Sequence, residues 1–374
     1  MSRTSPNEPC TVLMYPDYSD SNTYQQKLRD GLTDRGYDVQ LCRQRNPLPL
    51  LGAVVAHGRP DVFHVHWLHR SFVTDSSVLT FLLGVRLLLE MAVLRALGVN
   101  VVWTVHNLTD HEGRSPRTER AVRHVASRLC DRIIVHCRAA REAVCRSYRL
   151  PQSVEERIDV VPHGHYVGSY TNDVSRATAR DQLEFDDETV FLYFGLIRSY
   201  KNVPELVRTF STIDDEDARL LVVGNPWTDD LEAEIRDLCA ADDRVHPVLE
   251  FVPDDDIQLY MNAADVTVFP FSEVLTSGTT MLGMSFGRPV VAPREGCVGE
   301  LIDDVGGFAY DSADPNGLRE ALVAALEADL EGMGRHNREK VDRFDWGTVA
   351  RKTDRTYQRA GCERNESVTP TAPR

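Results

Sequence analysis

The sequence predicts an α/β protein of two tandem Rossmann-like, doubly wound parallel-sheet domains facing across a cleft. Three observations carry this. At 374 residues the chain is too long for one ordinary core. Short, almost continuously apolar runs alternate with helical periodicity, as buried parallel strands and their crossover helices do. That alternation lapses at 166–187 and then restarts. The chain therefore divides into an N-terminal domain, 1–165, a linker, 166–187, and a C-terminal domain, 188–340. A last helix within 341–360 crosses back toward the N-domain, and 361–374 reads as a disordered polar tail.

Taken in order, CTVLMY (Cys10–Tyr15) is a first strand, followed by the loop PDYSDSN and a helix from Thr23 to Arg35 that Gly36 ends. Tyr37–Leu41 and Asp61–Trp67 are further strands, and the period of two puts His64 and His66 on one side of the latter. The apolar run Leu79–Leu97 contains Arg86 and Glu90 at i,i+4, which favours a core helix over a bilayer span. Strand 99–105 ends in His106-Asn107. An arginine-laden helix (Pro116–Leu129), strand Arg132–His136, helix Arg138–Tyr148 and strand Ile158–Pro162 complete this half. In the second half, strand Thr189–Phe194 runs into Gly195 and a helix from Pro204. Strands follow at Arg219–Val223 and Val245–Val252, with helices at Asp229–Ala240 and Asp254–Ala263. Strand Val266–Phe269 then meets a loop and helix closed by Gly287-Arg288-Pro289. Strands Val290–Ala292 and Gly307–Tyr310, helix Pro315–Ala328 and helix Trp346–Arg359 finish the chain.

Composition narrows the class. The net charge is −15, but residues 1–165 carry 21 Arg and Lys against 17 Asp and Glu, leaving 21 against 40 in the remainder. A basic N-terminal half beside an acidic partner points to one half facing an anionic surface. Only four lysines occur (27, 201, 340, 352), and an acidic, lysine-poor surface suits the cytoplasm of a halophile. The start lacks the apolar core of a signal peptide. The eight cysteines show no metal-ligand spacing and read as the reduced thiols of a cytoplasmic protein. Net acidity without a basic recognition element argues against nucleic acid.

Chemistry concentrates in two stretches of the second half. After strand Thr189–Phe194, Gly195, Arg198 and Lys201 precede a helix: the glycine permits a sharp turn and the two cations can clamp a diphosphate. After strand Val266–Phe269, Thr276, Ser277, Gly278 and Thr279 open a helix whose first amides lack intrahelical partners and face the positive dipole end. Glu273 at that loop's apex suits a sugar hydroxyl. In the first half, His106 follows an apolar strand and can hydrogen-bond a hydroxyl or relay a proton. His64, His66, Trp67 and His69 cluster without an Asp or Cys to complete a metal site, so no metal is expected.

These residues together resemble the retaining group-4 (family 4) glycosyltransferases of GT-B fold. FGLIRSYKNVPELV resembles that family's Gly…Arg…Lys diphosphate clamp, VVGNPW its glycine loop, and VTVFPFSEVLTSGTTMLGMSFGRPVVAP its signature; TVHN resembles its N-domain histidine. The resemblance implies a retaining hexosyltransferase that takes a UDP- or GDP-sugar and needs neither cofactor nor metal. Arg198, Lys201 and the amides of 277–279 would stabilise the leaving diphosphate. His106 would position the sugar, Glu273 would hold its hydroxyls, and Asn22, Tyr24, Gln25, His66 and Trp67 would face the acceptor. The Arg-rich N-domain implies peripheral contact with anionic membrane, at its inner face, and a lipid-linked glycan acceptor. One departure stands out. The family's second signature glutamate falls on Met281 or Leu282 here, so nucleotide recognition must differ. A sugar-nucleotide epimerase of the same shape and a non-catalytic sugar- or nucleotide-binding protein are the alternatives.

Overall fold

A computed structural model describes residues 9–20, 22–43, 47–110 and 114–362. The chain forms two compact units: one runs to Gly164 and resumes at Phe344, and the other is His165–Arg343. The first contains strands β1 (Cys10–Tyr15), β2 (Tyr37–Leu41), β3 (Val62–Val65), β4 (Asn100–Thr104), β5 (Arg132–Val135) and β6 (Ile158–Val160). They make one parallel sheet in the order β2-β1-β3-β4-β5-β6, with Val12 opposite both Val39 and Val62. The second contains β7 (Thr189–Phe194), β8 (Ala218–Val223), β9 (Val245–Val248), β10 (Val266–Val268), β11 (Val290–Pro293) and β12 (Gly307–Tyr310). Its parallel order is β12-β11-β10-β7-β8-β9.

The two orders differ, but both contain a point where the winding reverses. Each sheet reverses its winding once, between β1 and β3 in the first unit and between β7 and β10 in the second. Loops on the two sides of such a point diverge and leave a crevice at the strands' carboxyl ends. The loops singled out by sequence, 195–201 after β7 and 270–279 after β10, flank that point in the second unit.

Four sequence readings are revised. Residues 166–187 are not a bare linker: helix Arg176–Gln182 lies within them, and Arg180 is fixed by the Ala263 and Glu188 carbonyls and Asp265. Helices Pro49–His57, Gly296–Leu301 and Leu330–Val341 were not anticipated. Cys10 and Cys362 form a disulfide, which corrects the reading of every cysteine as a thiol; their separation of 352 residues hides the pair from any spacing rule. The core helix Ser77–Ala96 buries only one face. Leu87, Met91 and Leu94 are inside, while Val78, Leu82, Val85, Leu89 and Val93 are exposed, Leu89 to 62%. The tail expected to be disordered, 363–374, lies outside the described residues.

The last helix, Trp346–Arg359, belongs to the first unit. Asp345 caps it, its carboxylate accepting the Thr348 amide at 2.8 Å. Val349, Ala350, Thr353 and Tyr357 recur at helical spacing and face inward. Ala350 meets helix Thr23–Thr33 where Gly31 has no room for a side chain. Asp354, buried, accepts from the Tyr37 hydroxyl at 2.6 Å and pairs with Arg35 at 2.8 Å.

Candidate active site of the two sheets

In the second unit the site is built around two close backbone approaches. Gly224 has φ 150°, and a Cβ there would lie 1.9 Å from the Gly195 carbonyl oxygen. Gly195 itself has φ 124°, with Thr279 Cγ2 2.9 Å from where its Cβ would be. Only glycine suits these positions. The loops after β7, β8 and β10 thus close on one another, and the Ile197–Asn225 and Trp227–Ile197 backbone bonds, both 3.0 Å, stitch the first two.

The cations sit on aromatic faces. The Arg198 guanidinium carbon is 3.4 Å from the Trp227 ring centroid, and Lys201 Nζ is 4.6 Å from that of Phe271. The Ser272 amide donates to the Tyr200 carbonyl at 2.9 Å and ties the lysine turn to the Glu273 loop. No carboxylate pairs with Lys201 among the described residues. Burial, and then the neighbouring Arg198 charge, push its ammonium down to about 8. A cation so placed, desolvated and without a counter-ion, is in a state that a bound anion relieves.

Ser277 caps helix Gly278–Ser285: its Oγ accepts the Thr280 amide at 3.2 Å and lies 3.1 Å from the Thr279 hydroxyl. The Gly278 and Thr279 amides open this helix beside Gly195, the residue that begins the loop carrying Arg198 and Lys201. Glu273 is exposed on the loop, whose next residues are pinned by the Cys297 amide to the Leu275 carbonyl at 2.8 Å. Met281 and Leu282, the two registers of the missing glutamate, are both buried, at 3% and 5% exposure.

In the first unit, four neighbouring strands each deliver a histidine just past their carboxyl ends: His66 after β3, His106 after β4, His136 after β5 and His163 after β6. His66 Nδ1 is 3.0 Å from His106 Nε2, and His106 Nδ1 is 3.4 Å from His136 Nε2. His136 Nδ1 is 2.9 Å from the Val161 carbonyl oxygen. Trp67, whose backbone is held at φ 24°, lies flat on His106, with centroids 4.4 Å apart and planes at 12°. Burial holds His136 down to about 3 and His163 to about 4, and both His66 and His106 well below the usual imidazole value. His64 bridges the Tyr357 hydroxyl and the Thr104 hydroxyl, each at 2.7 Å, and is a packing residue. Among the described residues no His, Cys, Asp and Glu group is arranged to hold a metal ion.

Several residues expected to touch substrate are committed elsewhere. Gln25 is buried, its Oε1 accepting the Tyr18 amide and its Nε2 donating to the Pro16 carbonyl, both at 2.8 Å, so it shapes the loop after β1. Asn22 caps the first helix by accepting the Tyr24 amide. Tyr24 is buried, edge-on to His66, His106 and His136. Both ring nitrogens of His106 are taken by other histidines. His136 and His163 were passed over in the sequence, although the signal recurs there: an apolar strand and then histidine, in RIIVHC and DVVPH.

The loop after His106 is held by a buried network. Arg123 Nη1 donates to the Asn107 carbonyl at 2.8 Å, and its Nε and Nη2 donate to Glu119 at 3.0 and 2.5 Å. Glu119 also accepts the Asp110 amide at 2.8 Å, and the Tyr148 hydroxyl donates to the Leu108 carbonyl at 2.8 Å.

Two six-stranded parallel sheets, each gathering its candidate residues at the carboxyl ends of its strands, have the architecture of a GT-B transferase. Comparison with known proteins agrees. Residues 9–167 match the Glycosyltransferase Family 4 model and residues 188–328 the Glycosyl transferases group 1 model. The chain belongs to the GT-B glycosyltransferases of the family-4 type, which transfer a sugar from a nucleotide-sugar donor. It is 28% identical over 355 residues to the GDP-mannose:glycolipid 4-beta-D-mannosyltransferase of Xanthomonas campestris pv. campestris, covering 94% of this chain and 92% of that one. It is 28% identical to the D-inositol 3-phosphate glycosyltransferase of Corynebacterium kroppenstedtii, over 62% of this chain and 53% of that one. Among solved structures, sucrose-phosphate synthase from Thermosynechococcus elongatus superimposes with TM-score 0.74 at 19% identity, covering 94% and 98% of the two chains. Anabaena HepE in complex with UDP-glucose does so with TM-score 0.71 at 16% identity, covering 93% and 99%.

Proposed function

We propose that this protein is a metal-independent hexosyltransferase that moves a sugar from a UDP- or GDP-sugar to an acceptor hydroxyl with retention of configuration. The observation that carries the reading is the convergence of Arg198, Lys201 and the Ser277–Thr279 turn at the switch point of the second sheet. Gly195 gives the diphosphate close access to the backbone, and Thr276 to Thr279 supply hydroxyls and amides. Two guanidinium/ammonium charges plus a helix N-terminus neutralise the charge that grows on the leaving group, which is where such chemistry gains most of its rate. That set can take the place of a divalent cation. Glu273 holds hydroxyls of the transferring sugar, and the His66–Trp67 region faces the acceptor.

The state of His106 supports retention. An imidazole held far below its usual value is a feeble general base. A path in which the departing phosphate oxygen takes the acceptor's proton needs none. Inversion is the second reading, favoured by the beta linkage in the name of the Xanthomonas relative. Incubation with GDP-mannose or UDP-glucose, a glycolipid acceptor and EDTA tests both points: we expect slow nucleotide release and an α-linked product by NMR. A β-linked product would establish inversion, and loss of turnover in EDTA would remove metal independence.

The glycolipid named for that relative also supports a lipid-linked acceptor and a cytoplasmic site at the inner face of the membrane. The exposed apolar stripe of helix Ser77–Ala96 packs beside helix Pro116–Leu129, which exposes Arg117, Arg120 and Arg128. Apolar burial plus attraction to anionic headgroups would seat this face on a bilayer. The protein should co-sediment with anionic vesicles in low salt and less in high salt, and Leu82→Glu/Leu89→Glu should abolish it. Absence of binding in both salts would remove the membrane contact.

A further inference from the structure

The histidine chain has a proton arrangement that its partners dictate. The Val161 carbonyl can only accept, so His136 carries its proton on Nδ1. His136 is neutral, so its Nε2 is bare, and the proton in the next contact lies on His106 Nδ1. The same step along the chain leaves His106 Nε2 bare and puts a proton on His66 Nδ1. His66 Nε2 is thereby a bare lone pair. It is buried, on a residue with no exposed surface, and has no hydrogen-bond partner among the described residues.

A buried acceptor without a partner gives up its hydrogen bond to water and gains nothing in return. A second cost sits next to it, in the left-handed backbone of Trp67 that lays the indole over His106. Strain and an unsatisfied group at one point, at the carboxyl ends of β3 and β4, mark a place organised for something other than stability. His106 cannot serve there, since both its nitrogens are engaged.

We propose that His66 Nε2 is the group of the N-terminal unit that receives a substrate hydroxyl, with His106 and His136 as positioning residues that fix its proton. This rests on the transferase reading. The relay offers an acceptor and nothing else, so it selects a hydroxyl donor and rejects an ether or a carbonyl at that point. The hydroxyl belongs either to the transferring sugar or to the acceptor.

Long-range proton–nitrogen NMR on the full chain labelled with 15N-histidine tests the arrangement without turnover. All three rings should be protonated on Nδ1, opposite to the tautomer that free imidazole side chains favour in water. A protonated Nε2 on any of the three overturns the proposal, whether or not the protein is a transferase. Kinetics with GDP-mannose, or UDP-glucose if that is the donor used, test the role. His66→Leu should lower kcat/KM about tenfold, with His66→Gln, which keeps an acceptor atom, recovering much of it. If a monodeoxy donor analogue abolishes the difference between wild type and His66→Leu, the hydroxyl is the donor sugar's. If the difference appears in transfer but not in donor hydrolysis, it is the acceptor's. An unchanged kcat/KM in a folded His66→Leu overturns the assignment. His136→Phe should shift the His66 tautomer in the spectrum while leaving nucleotide affinity unchanged, which a purely structural histidine would not do.

Discussion

Lys201→Ala lowers kcat about 10²–10³-fold while the protein still folds. The magnitude is that of removing one preorganised donor from a developing oxyanion. Folding should survive because the ammonium makes no ion pair among the described residues and sits over Phe271 at a cost in desolvation. Its substitution relieves that cost. The pH dependence follows with a definite sign. Lys201 is pushed down to about 8 from an ordinary value of 10.5, so in the free enzyme the cation is lost as pH rises through about 8. The profile of kcat/KM, which reports the free enzyme, should fall about tenfold per pH unit above that point. Bound diphosphate favours the charged form, so the fall in kcat should lie at higher pH. Lys201→Arg, always charged, should abolish the alkaline fall even if its bulk lowers the plateau. A wild-type kcat/KM that is flat from pH 7 to 10 would exclude this role for Lys201.

The close pairing of the loops after β7 and β10, where we propose the donor diphosphate binds, was legible in the sequence because its signals are local. A strand, a glycine, two cations and a helix start lie within about a dozen residues, and the hydroxyl turn after β10 is equally compact. The missing glutamate was legible for the same reason, and burial of Met281 and Leu282 shows that the departure goes into the core. The histidine relay was not. Each histidine alone looks ordinary, and only the order β3-β4-β5-β6 brings the four together, across gaps of 27 to 40 residues. The burial of Tyr24 and Gln25 was hidden for a related reason. Helical periodicity places them correctly on the first helix, but which face is buried depends on packing against a helix more than 300 residues later. Pro49–His57 and Leu330–Val341 escaped because the first is apolar all round and the second carries two glycines, so neither shows a clean amphipathic stripe.

Arg123→Met tests the support beneath the relay, and its effect should be the largest on stability. Arg123 and Glu119 are fully buried and pair within one turn of a helix. Removing one partner of such a pair leaves a charge without compensation and costs about 3–5 kcal/mol. In a unit of this size that corresponds to a melting temperature lower by roughly 10–15 °C. Arg123→Met/Glu119→Leu should recover part of the loss, because two apolar side chains leave no orphan charge. The functional loss should not recover with it. The Asn107 carbonyl loses its Arg123 donor and the Asp110 amide its Glu119 acceptor in the double variant, so the turn that follows His106 is released on both sides. Turnover measured well below the melting temperature should therefore stay about tenfold down when stability returns. Tyr148→Phe removes the remaining hold, on the Leu108 carbonyl, for about 1 kcal/mol and should lower turnover alone in the same direction. A double variant that regains both stability and rate would mean the network serves the fold only. Equal melting temperatures for wild type and Arg123→Met would mean the ion pair contributes nothing.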